Sequence, residues 1–523
     1  MAFNSSSTAG SAGIGNNGTL NFNNTSKAGS TAIITNRGTV NFDDDSSADN
    51  ATIVNESGTG HRVVFSGSSK AGTAQITNNS DLAFSGTSTA ADAKITDNLT
   101  LFFLEGSTAG NAVITNNGDL SFNERVLIGA ASTAGSATIT TNGGGTARFF
   151  GNASGGNARF ITNTGGTFDI SNATTGTATG SIEGAGVHFL GAKTLTVGGN
   201  NRSTEISGRI EGTGGSLVKT GSGTLTLSGS STYTGSTTIS SGTLKGGATN
   251  SFASSSAFGV ASSATIDLGG TDQEIGSLTG TGTVTNSGTS DARLTAGRDN
   301  NSTAFSGIIK DGATKKTALT KVGSGTLTLT GANTYTGGTV ISAGTLAGNT
   351  TSLRGDIVNN ATLSFDQGAS IGTYAGAISG SGALVKSGTG NLTLTGANTY
   401  TGGTTVSAGS LTVGSLGSIA GKVTVSNSTF TLDGADASGI TEISGAGNMY
   451  FSGGTNAGSM TIVNDYGAVG FTTPQAPAPP ISPISAETCF LQTMQMPTRR
   501  RLSATPPHLW CFREPAAVVT RVL

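Results

Sequence analysis

Apolar residues recur along the first part of the chain at the spacing of short β-strands. Pairs two positions apart, such as Ala112 with Ile114 and Leu120 with Phe122, place apolar side chains on one face of an extended segment. The unit "STAGNAVITNNGDLSF" at 107–122 returns with small changes at 26–42, 69–84 and 88–103. Each unit ends in a phenylalanine, and these stand 19 to 23 residues apart, at Phe22, Phe42, Phe65, Phe84, Phe103 and Phe122.

Each unit predicts two short strands joined by a corner. The corner is predicted from "TNNG", since Asn and Gly adopt positive φ at little cost. A unit this short cannot bury its own apolar face, whereas stacked units place Ile over Ile and Phe over Phe. The pattern therefore predicts a β-solenoid over residues 1–190. A compact β-sandwich, the alternative fold, does not need near-identical units in register.

A longer motif replaces the first one and occurs three times, at 217–244, 319–346 and 384–411. The third copy reads "LVKSGTGNLTLTGANTYTGGTTVSAGSL". In every copy the lysine is followed by Leu, Tyr and Leu at offsets of 6, 14 and 25 residues. Constant offsets of this kind predict that each copy folds onto the same few coils, with less regular coils or loops between copies.

These three copies resemble the passenger-associated transport repeat of autotransporters, the type V secreted proteins of Gram-negative bacteria. The shared features are a Lys, Gly-x-Gly, Leu-x-Leu, Asn-x-Tyr (Ser-x-Tyr in the first copy) and closing Gly and Leu, and "LTVGGNNRSTEISGRIEG" at 195–212 resembles the usual lead-in. The first array resembles passenger repeats of large adhesin-like members. The resemblance implies an all-β chain, an elongated right-handed parallel β-helix displayed outside the outer membrane, with a second domain over 191–471.

The last segment, residues 472–523, differs in composition from everything before it. All nine Pro, both Cys and the single Trp lie after residue 471, whereas a stacked sheet excludes Pro because Pro cannot donate to the ladder. We expect this tail to be disordered or to come from a frameshift. The family places a secretion signal before the passenger and a β-barrel translocator after it. Neither is recognised here, so this chain alone is not expected to reach the outer membrane.

Charge and composition limit the possible partners. The net charge is −2 and only 11% of residues are charged, which gives a nucleic-acid partner no electrostatic support. The resemblance implies two other partners, a polysaccharide or protein on a host or environmental surface and the outer-membrane translocator.

An enzyme is the rival interpretation, because polysaccharide-cleaving enzymes of the lyase and glycoside hydrolase types also use parallel β-helices. Such chemistry needs carboxylates gathered on one face. The acids here are scattered: Asp43, Asp44 and Asp45 share a corner, and Asp97 replaces a repeat Asn. We interpret them as solvated turn residues. A hydrolase site in the insert at 247–317 is the alternative.

No catalytic, cofactor-binding or metal-ligating residue is predicted. His61, His188 and His508 are far apart in sequence, and no zinc motif occurs. "GIGNNG" at 13–18 is interpreted as a variant of the repeat turn and not as a dinucleotide loop. Arg354, Gly355 and Asp356 form an integrin-type tripeptide whose exposure the sequence does not give. The alternating Thr of "GTLTLTG" are interpreted as ordinary outward strand hydroxyls in preference to an ice-binding face.

Overall fold

The structure is a computed structural model that describes residues 1–123, 130–455, 460–472 and 501–503. For residues 501–503 it describes the backbone alone. Within these ranges the chain contains β-strands and no α-helix. It divides into two compact units, Met1–Asn301 with Ser306–Thr317, and Ser302–Phe305 with Ala318–Leu523. The predicted all-β solenoid of stacked parallel strands is confirmed.

The strands are short and numerous. The first group is β1 (Ala2–Phe3), β2 (Gly13–Asn16), β3 (Thr19–Phe22), β4 (Ile33–Asn36), β5 (Thr39–Phe42), β6 (Thr52–Asn55), β7 (Arg62–Phe65), β8 (Gln75–Asn78), β9 (Asp81–Phe84), β10 (Lys94–Asp97), β11 (Thr100–Leu104), β12 (Val113–Asn116), β13 (Asp119–Asn123), β14 (Thr138–Thr141), β15 (Thr146–Gly151), β16 (Gly155–Thr162), β17 (Thr167–Ala173), β18 (Gly176–Glu183) and β19 (Val187–Phe189). The second group is β20 (Thr194–Val197), β21 (Thr204–Ile206), β22 (Arg209–Glu211), β23 (Ser216–Lys219), β24 (Thr224–Leu227), β25 (Thr237–Ile239), β26 (Gly242–Gly246), β27 (Ala257–Val260), β28 (Ala264–Asp267), β29 (Gln273–Ile275), β30 (Ser277–Gly280), β31 (Thr283–Thr285), β32 (Ala292–Ala296), β33 (Thr303–Phe305) and β34 (Ile308–Ile309). The third group is β35 (Thr317–Lys321), β36 (Thr326–Leu329), β37 (Thr339–Ile341), β38 (Thr345–Gly348), β39 (Ile357–Asn359), β40 (Thr362–Asp366), β41 (Gly372–Tyr374), β42 (Ile378–Ser379), β43 (Ala383–Ser387), β44 (Asn391–Leu394), β45 (Thr404–Val406), β46 (Ser410–Val413), β47 (Gly421–Asp433), β48 (Ile440–Ser452), β49 (Thr461–Asn464), β50 (Val469–Phe471) and β51 (Arg501–Ser503).

In the first unit the strands stack in parallel columns one coil apart. One column runs β1-β3-β5-β7-β9-β11-β13-β15-β17-β19-β22. A second alternates with it from β2 and β4 through β8, β10 and β12 to β18, β20 and β23. The third side of the early coils is a column of single bridged residues, Thr8, Lys27, Ser47, Lys70, Thr89, Thr108, Thr133 and Ser154. Further along, β21-β24-β26-β28-β31-β34 form another parallel column.

The second unit uses the same construction. β36, β38, β40, β43 and β45 pair in sequence, as do β41, β44 and β46. The 13-residue strands β47 and β48 then pair along their length. Among the pairings between described strands, β49 with β51 is antiparallel.

Identical side chains lie over one another, as the repeats predict. Phe22 is in register with Phe42 and Ile34 with Ile53. Consecutive phenylalanine rings from Phe3 to Phe149 have centroids 4.6–5.1 Å apart and planes within 13° of parallel. We call this column the Phe stack. Rings held at the strand spacing are buried on both faces, so the stack is the core of the first array.

The corner "TNNG" forms where it was predicted, but the reason given for its glycine is wrong. Gly38 and Gly118 do not have positive φ. A Cβ on Gly38 would lie 2.1 Å from the carbonyl oxygen of Gly18, and one on Gly118 would lie 2.3 Å from that of Leu99. At these two corners glycine avoids a clash with the preceding coil, whereas the equivalent corners of two other coils carry Ser80 and Leu99. Positive φ occurs instead at the corner after each Phe, in a column formed by Ser5, Asn24, Asp44, Gly67, Gly86 and Glu105.

The prediction made for the tail, residues 472–523, falls outside the described residues apart from Thr472 and β51. The boundary predicted near residue 190 also stays a prediction. The first unit contains the first array and the first of the three longer repeats, and the second unit contains the other two.

Candidate functional site

The first asparagine of each "TNNG" corner lies inside the solenoid and not in solvent. The amide nitrogen of Asn16 donates to the amide oxygen of Asn36 at 2.7 Å, and the steps from Asn36 to Asn55 and from Asn55 to Asn78 are 2.8 Å. The amide nitrogens of Asn16, Asn36 and Asn78 also donate to backbone carbonyls of their own coil and the next, as Asn16 does to Gly18 (3.1 Å) and Thr39 (2.9 Å). Asn55 donates to the Asp81 carbonyl of the next coil at 3.0 Å. We call this column the Asn ladder. The motif "GIGNNG" belongs to this ladder through Asn16, and it forms β2 and the following corner, as expected.

Asp97 occupies one position of this ladder. Its side chain has no exposed surface, so its interpretation as a solvated turn residue is wrong. Oδ1 accepts from the amide nitrogen of Asn78 at 2.7 Å, and Oδ2 is buried without a hydrogen-bond partner. Burial raises the pKa of Asp97 to about 7, against hydrogen bonds from Asn78 and the Leu99 backbone that lower it, and the charges of Asp119 and Asp81 make a smaller upward contribution.

The other singled-out acids and histidines have ordinary surroundings. Asp44 and Asp45 are exposed at a corner, where Asp44 accepts from the backbone N–H of Asn24 at 2.8 Å. His61 lies at a turn, with Nδ1 3.0 Å from the Glu56 carbonyl oxygen. His508 lies outside the described residues. In the part of the chain that is described, no three His, Cys, Asp or Glu side chains form a metal-binding group.

His188 is fully buried below the Phe stack. Its ring centroid lies 5.8 Å from that of Phe168. Neither ring nitrogen makes a well-formed hydrogen bond within the described residues, although the backbone of Arg209 lies close enough to favour the protonated ring weakly. Burial is the larger effect and lowers the pKa of His188 to about 4, so the ring is neutral at pH 7. A neutral imidazole sealed from solvent cannot contact a substrate.

The lysine of each longer repeat is the polar feature that sequence reasoning missed. Lys219, Lys321 and Lys386 are at most 1% exposed. Each ammonium donates to three backbone carbonyls, two directly after the lysine and one on the next coil. The acceptors are Thr220 (2.6 Å), Gly221 (3.0 Å) and Ser241 (3.3 Å); Val322 (2.6 Å), Gly323 (2.8 Å) and Ala343 (3.3 Å); and Ser387 (2.7 Å), Gly388 (2.8 Å) and Ala408 (3.1 Å). Burial lowers the pKa of Lys219 to about 8, so it still carries its charge at neutral pH.

The tyrosine of each repeat is internal as well. Tyr233, Tyr335 and Tyr400 are buried. Each hydroxyl bonds a threonine hydroxyl four residues on, at 2.5–2.7 Å. Burial raises the pKa of all three tyrosines, so they are neutral. The constant offsets of the repeat are therefore explained by bonds inside the coils. The constant offsets were the feature of the sequence that could have indicated these internal bonds.

Carboxylates of the 247–317 insert hold the backbone together. Asp272 accepts from the N–H of Arg293 and Asp291 from that of Lys316, both at 2.8 Å. Asp267 accepts from two backbone N–H groups at 3.0 and 2.8 Å. Glu274 pairs with Arg298 at 2.8 Å. Each of these carboxylates is engaged in a turn or an ion pair, an arrangement unlike the convergent pair that glycoside chemistry requires.

The outer surface of the first array carries rows of polar side chains. Outward positions of β8, β10 and β12 form an open surface with Gln75, Thr77, Lys94, Thr96, Val113 and Thr115. The register of these strands places Thr77, Thr96 and Thr115 side by side on successive coils. We call this surface the threonine face. Threonine hydroxyls of the longer repeats also point outward, as expected, beside buried Leu225 and Leu227.

The tripeptide Arg354–Asp356 lies on an exposed turn before β39. Gly355 has φ +65° and open space where a Cβ would project. Asp356 accepts from the N–H of Ala377 at 2.8 Å through Oδ1, and the Gly355 carbonyl accepts from the Tyr374 hydroxyl at 2.5 Å. The turn is thus exposed on its outer side and held by the next coil on its inner side.

Comparison with known proteins identifies the longer repeats. The family described as Passenger-associated-transport-repeat matches residues 217–245, 319–347 and 384–413. This chain carries autotransporter passenger repeats. It is also similar to the adhesin BmaC autotransporter of Brucella suis biovar 1 (strain 1330), at 39% identity over 132 residues. That match covers 24% of this chain and 4% of the relative.

The resemblance to an adhesin-like autotransporter passenger is confirmed by the two matches. No solved structure matches this chain. Within the described ranges we find no helix able to cross a bilayer.

Proposed function

We propose that this chain is a non-catalytic passenger that acts as an adhesin or a surface stalk, exported by type V secretion in its full-length form. The observation that carries the proposal is that the first Asn of each corner and the Lys and Tyr of each longer repeat point inward. Asn78, Lys386 and Tyr400, with their counterparts, are buried and form hydrogen bonds inside the solenoid, within a coil or to the next one. Repetition then serves to build length, and contacts are left to the exterior.

Several surface features support an adhesive role. The threonine face repeats a hydroxyl at the strand spacing on three successive coils and adds the Gln75 amide and the Lys94 ammonium beside it. Each such contact is weak, but many contacts on one rigid scaffold add to a useful avidity. A polysaccharide, with repeating hydroxyls of its own, is the ligand class we propose. The relative is named an adhesin, which favours the same role. Export would require a translocator as partner, and the passenger would be displayed at the cell surface.

Binding and turnover on the same substrates test the proposal. The purified chain is applied to plant and bacterial polysaccharides, and both retained protein and released sugar ends are measured. We expect retention without product. Thr77→Val, Thr96→Val and Thr115→Val together remove three hydroxyls with little change of shape, and are expected to weaken retention several-fold without abolishing it.

The control for turnover uses matched carboxylates. Asp272→Asn and Asp291→Asn change the insert, and Asp92→Asn changes an exposed acid of the first array. Product formation that is lost in one insert variant and kept in Asp92→Asn would show an enzyme and overturn the proposal.

Protease treatment of intact cells that express the full-length gene tests display. Protection of the passenger in intact cells would contradict surface exposure.

A further inference from the structure

Asp97 replaces a donor of the Asn ladder by an acceptor. At an ordinary step the amide nitrogen donates to its own coil, to the next amide oxygen and to the next strand, as Asn36 does to Gly38 (2.9 Å), Asn55 (2.8 Å) and Arg62 (3.0 Å). Oδ1 of Asp97 takes the place of the amide oxygen, because it accepts from Asn78. Oδ2 therefore lies where the amide nitrogen would be.

The partner that Oδ2 would face is itself an acceptor. Asp97 is in register with Asn116 on the next coil. The amide nitrogen of Asn116 is already directed to the Thr146 carbonyl at 3.0 Å, and its oxygen accepts from the N–H of Gly118 at 3.2 Å. An ionised Oδ2 would thus meet oxygen atoms without an intervening hydrogen, in a site without exposed surface.

Neighbouring charges do not compensate an ionised carboxylate. Asp81 on β9 and Asp119 on β13 are both acidic and both disfavour a second negative charge. Arg148 is engaged with Asp119 at 2.8 Å. Lys94 points outward from β10, and β8, β11 and β12 place no charged side chain toward Asp97. A proton on Oδ2 solves both problems, because it removes the charge and supplies the missing donor.

We propose that Asp97 is a proton-dependent link of the Asn ladder, whose protonated carboxyl donates to the amide oxygen of Asn116. Loss of the proton breaks the ladder between β10 and β12 and leaves a charge in the core. The coil that contains β10 and β11 therefore opens more readily as the pH rises. This device is separate from the proposed adhesive role.

The sign follows from the pKa values. Asp97 has a pKa of about 7 in the fold and an ordinary value of 3.8 when unfolded. Between these values the folded chain binds one more proton than the unfolded chain, so stability falls as pH rises from about 4 to about 7 and then levels off. The buried His188 acts in the opposite direction, since its pKa is about 4. A comparison at equal pH between two chains that both contain His188 cancels its contribution.

Hydrogen exchange of the full chain and of Asp97→Asn tests the link. The asparagine restores the missing donor without a titrating group. Relative to the variant, the opening equilibrium of the β10 and β11 amides in the unsubstituted chain is expected to rise by up to tenfold per pH unit between about pH 4 and pH 7. Asp92→Asn, on the exposed part of the same coil, is the control and should follow the unsubstituted chain. Equal pH profiles of the unsubstituted chain and Asp97→Asn would overturn the proposal.

A spectroscopic signature separates a proton from another occupant. At pH 6 the infrared carbonyl band of a protonated carboxyl is expected, and Asp97→Asn should lack it. A carboxylate band alone at that pH would refute the link. If sodium, potassium or calcium chloride protects the unsubstituted chain at pH 8 and leaves Asp97→Asn unchanged, the site binds a cation and the proton proposal is wrong. Asn55→Asp adds a second carboxyl to the ladder. The stability of the chain is then expected to fall more steeply as the pH rises.

Discussion

The first array and the longer repeats build the same kind of coil with different internal bonds. In the first array, the Phe stack and the Asn ladder continue from coil to coil, so each residue depends on identical residues above and below it. In the longer repeats, each ammonium and each tyrosine hydroxyl bonds groups close by in its own repeat. A solenoid can therefore be stabilised by continuous columns or by self-contained clusters. A substitution in a column should destabilise several coils, whereas one in a cluster should destabilise its own repeat.

The largest effect is expected from a gap in the Phe stack. Phe84 lies 4.7 Å from Phe65 and 4.9 Å from Phe103, ring centre to ring centre. Phe84→Ala removes both contacts and leaves a cavity, which should lower the free energy of unfolding by about 4 kcal/mol. Hydrogen exchange should increase in the coils of β7, β9 and β11 together. An increase confined to β9 would show that the stack does not couple neighbouring coils.

A smaller and more local effect is expected from a repeat lysine. Lys386→Met keeps the length of the side chain but leaves the carbonyls of Ser387, Gly388 and Ala408 without their charged donor. We expect a loss of about 3 kcal/mol, with faster hydrogen exchange confined to residues 384–411. Thr393→Ser, on the outward face of β44, is the matched control and should leave exchange unchanged. Faster exchange across β40 as well would remove the contrast with the first array.

The sequence predicted the architecture because the apolar residues of the repeats recur at a nearly constant interval. Equal spacing of Phe65, Phe84 and Phe103 allows one arrangement that buries every ring, and the structure has it. The roles of the polar residues were harder to predict. Asn78 and Asn79 are adjacent and chemically identical, yet the first is buried and the second is not. Only the direction of each side chain at the corner separates a ladder from a solvated turn, and neither spacing nor composition contains that direction.

Asp97 and Lys386 show the same limit at the level of charge. A charged residue is usually exposed, and Asp97 was interpreted as a solvated turn residue, whereas no role was predicted for Lys386. Each is buried because the coil supplies a partner that lies about twenty residues away, Asn78 for Asp97 and the Ala408 carbonyl for Lys386. Long-range pairs of this kind follow from the register of the coils, which the sequence implies but which must be built before the pairs can be seen.

The smallest effect is expected where a motif suggests recognition but the structure shows an ordinary turn. The Asp356 carboxylate binds the Ala377 N–H, so Asp356→Ala should cost about 1 kcal/mol, with faster exchange limited to β39 and β42. Arg354→Ala leaves that bond intact and should not change stability. Because we propose that adhesion is spread over many coils, both variants should keep polysaccharide retention within about twofold of the unsubstituted chain. If Arg354→Ala alone abolished attachment of the chain to any surface, this turn would be a dedicated recognition site. Adhesion would then depend on one turn and would not be spread over many coils.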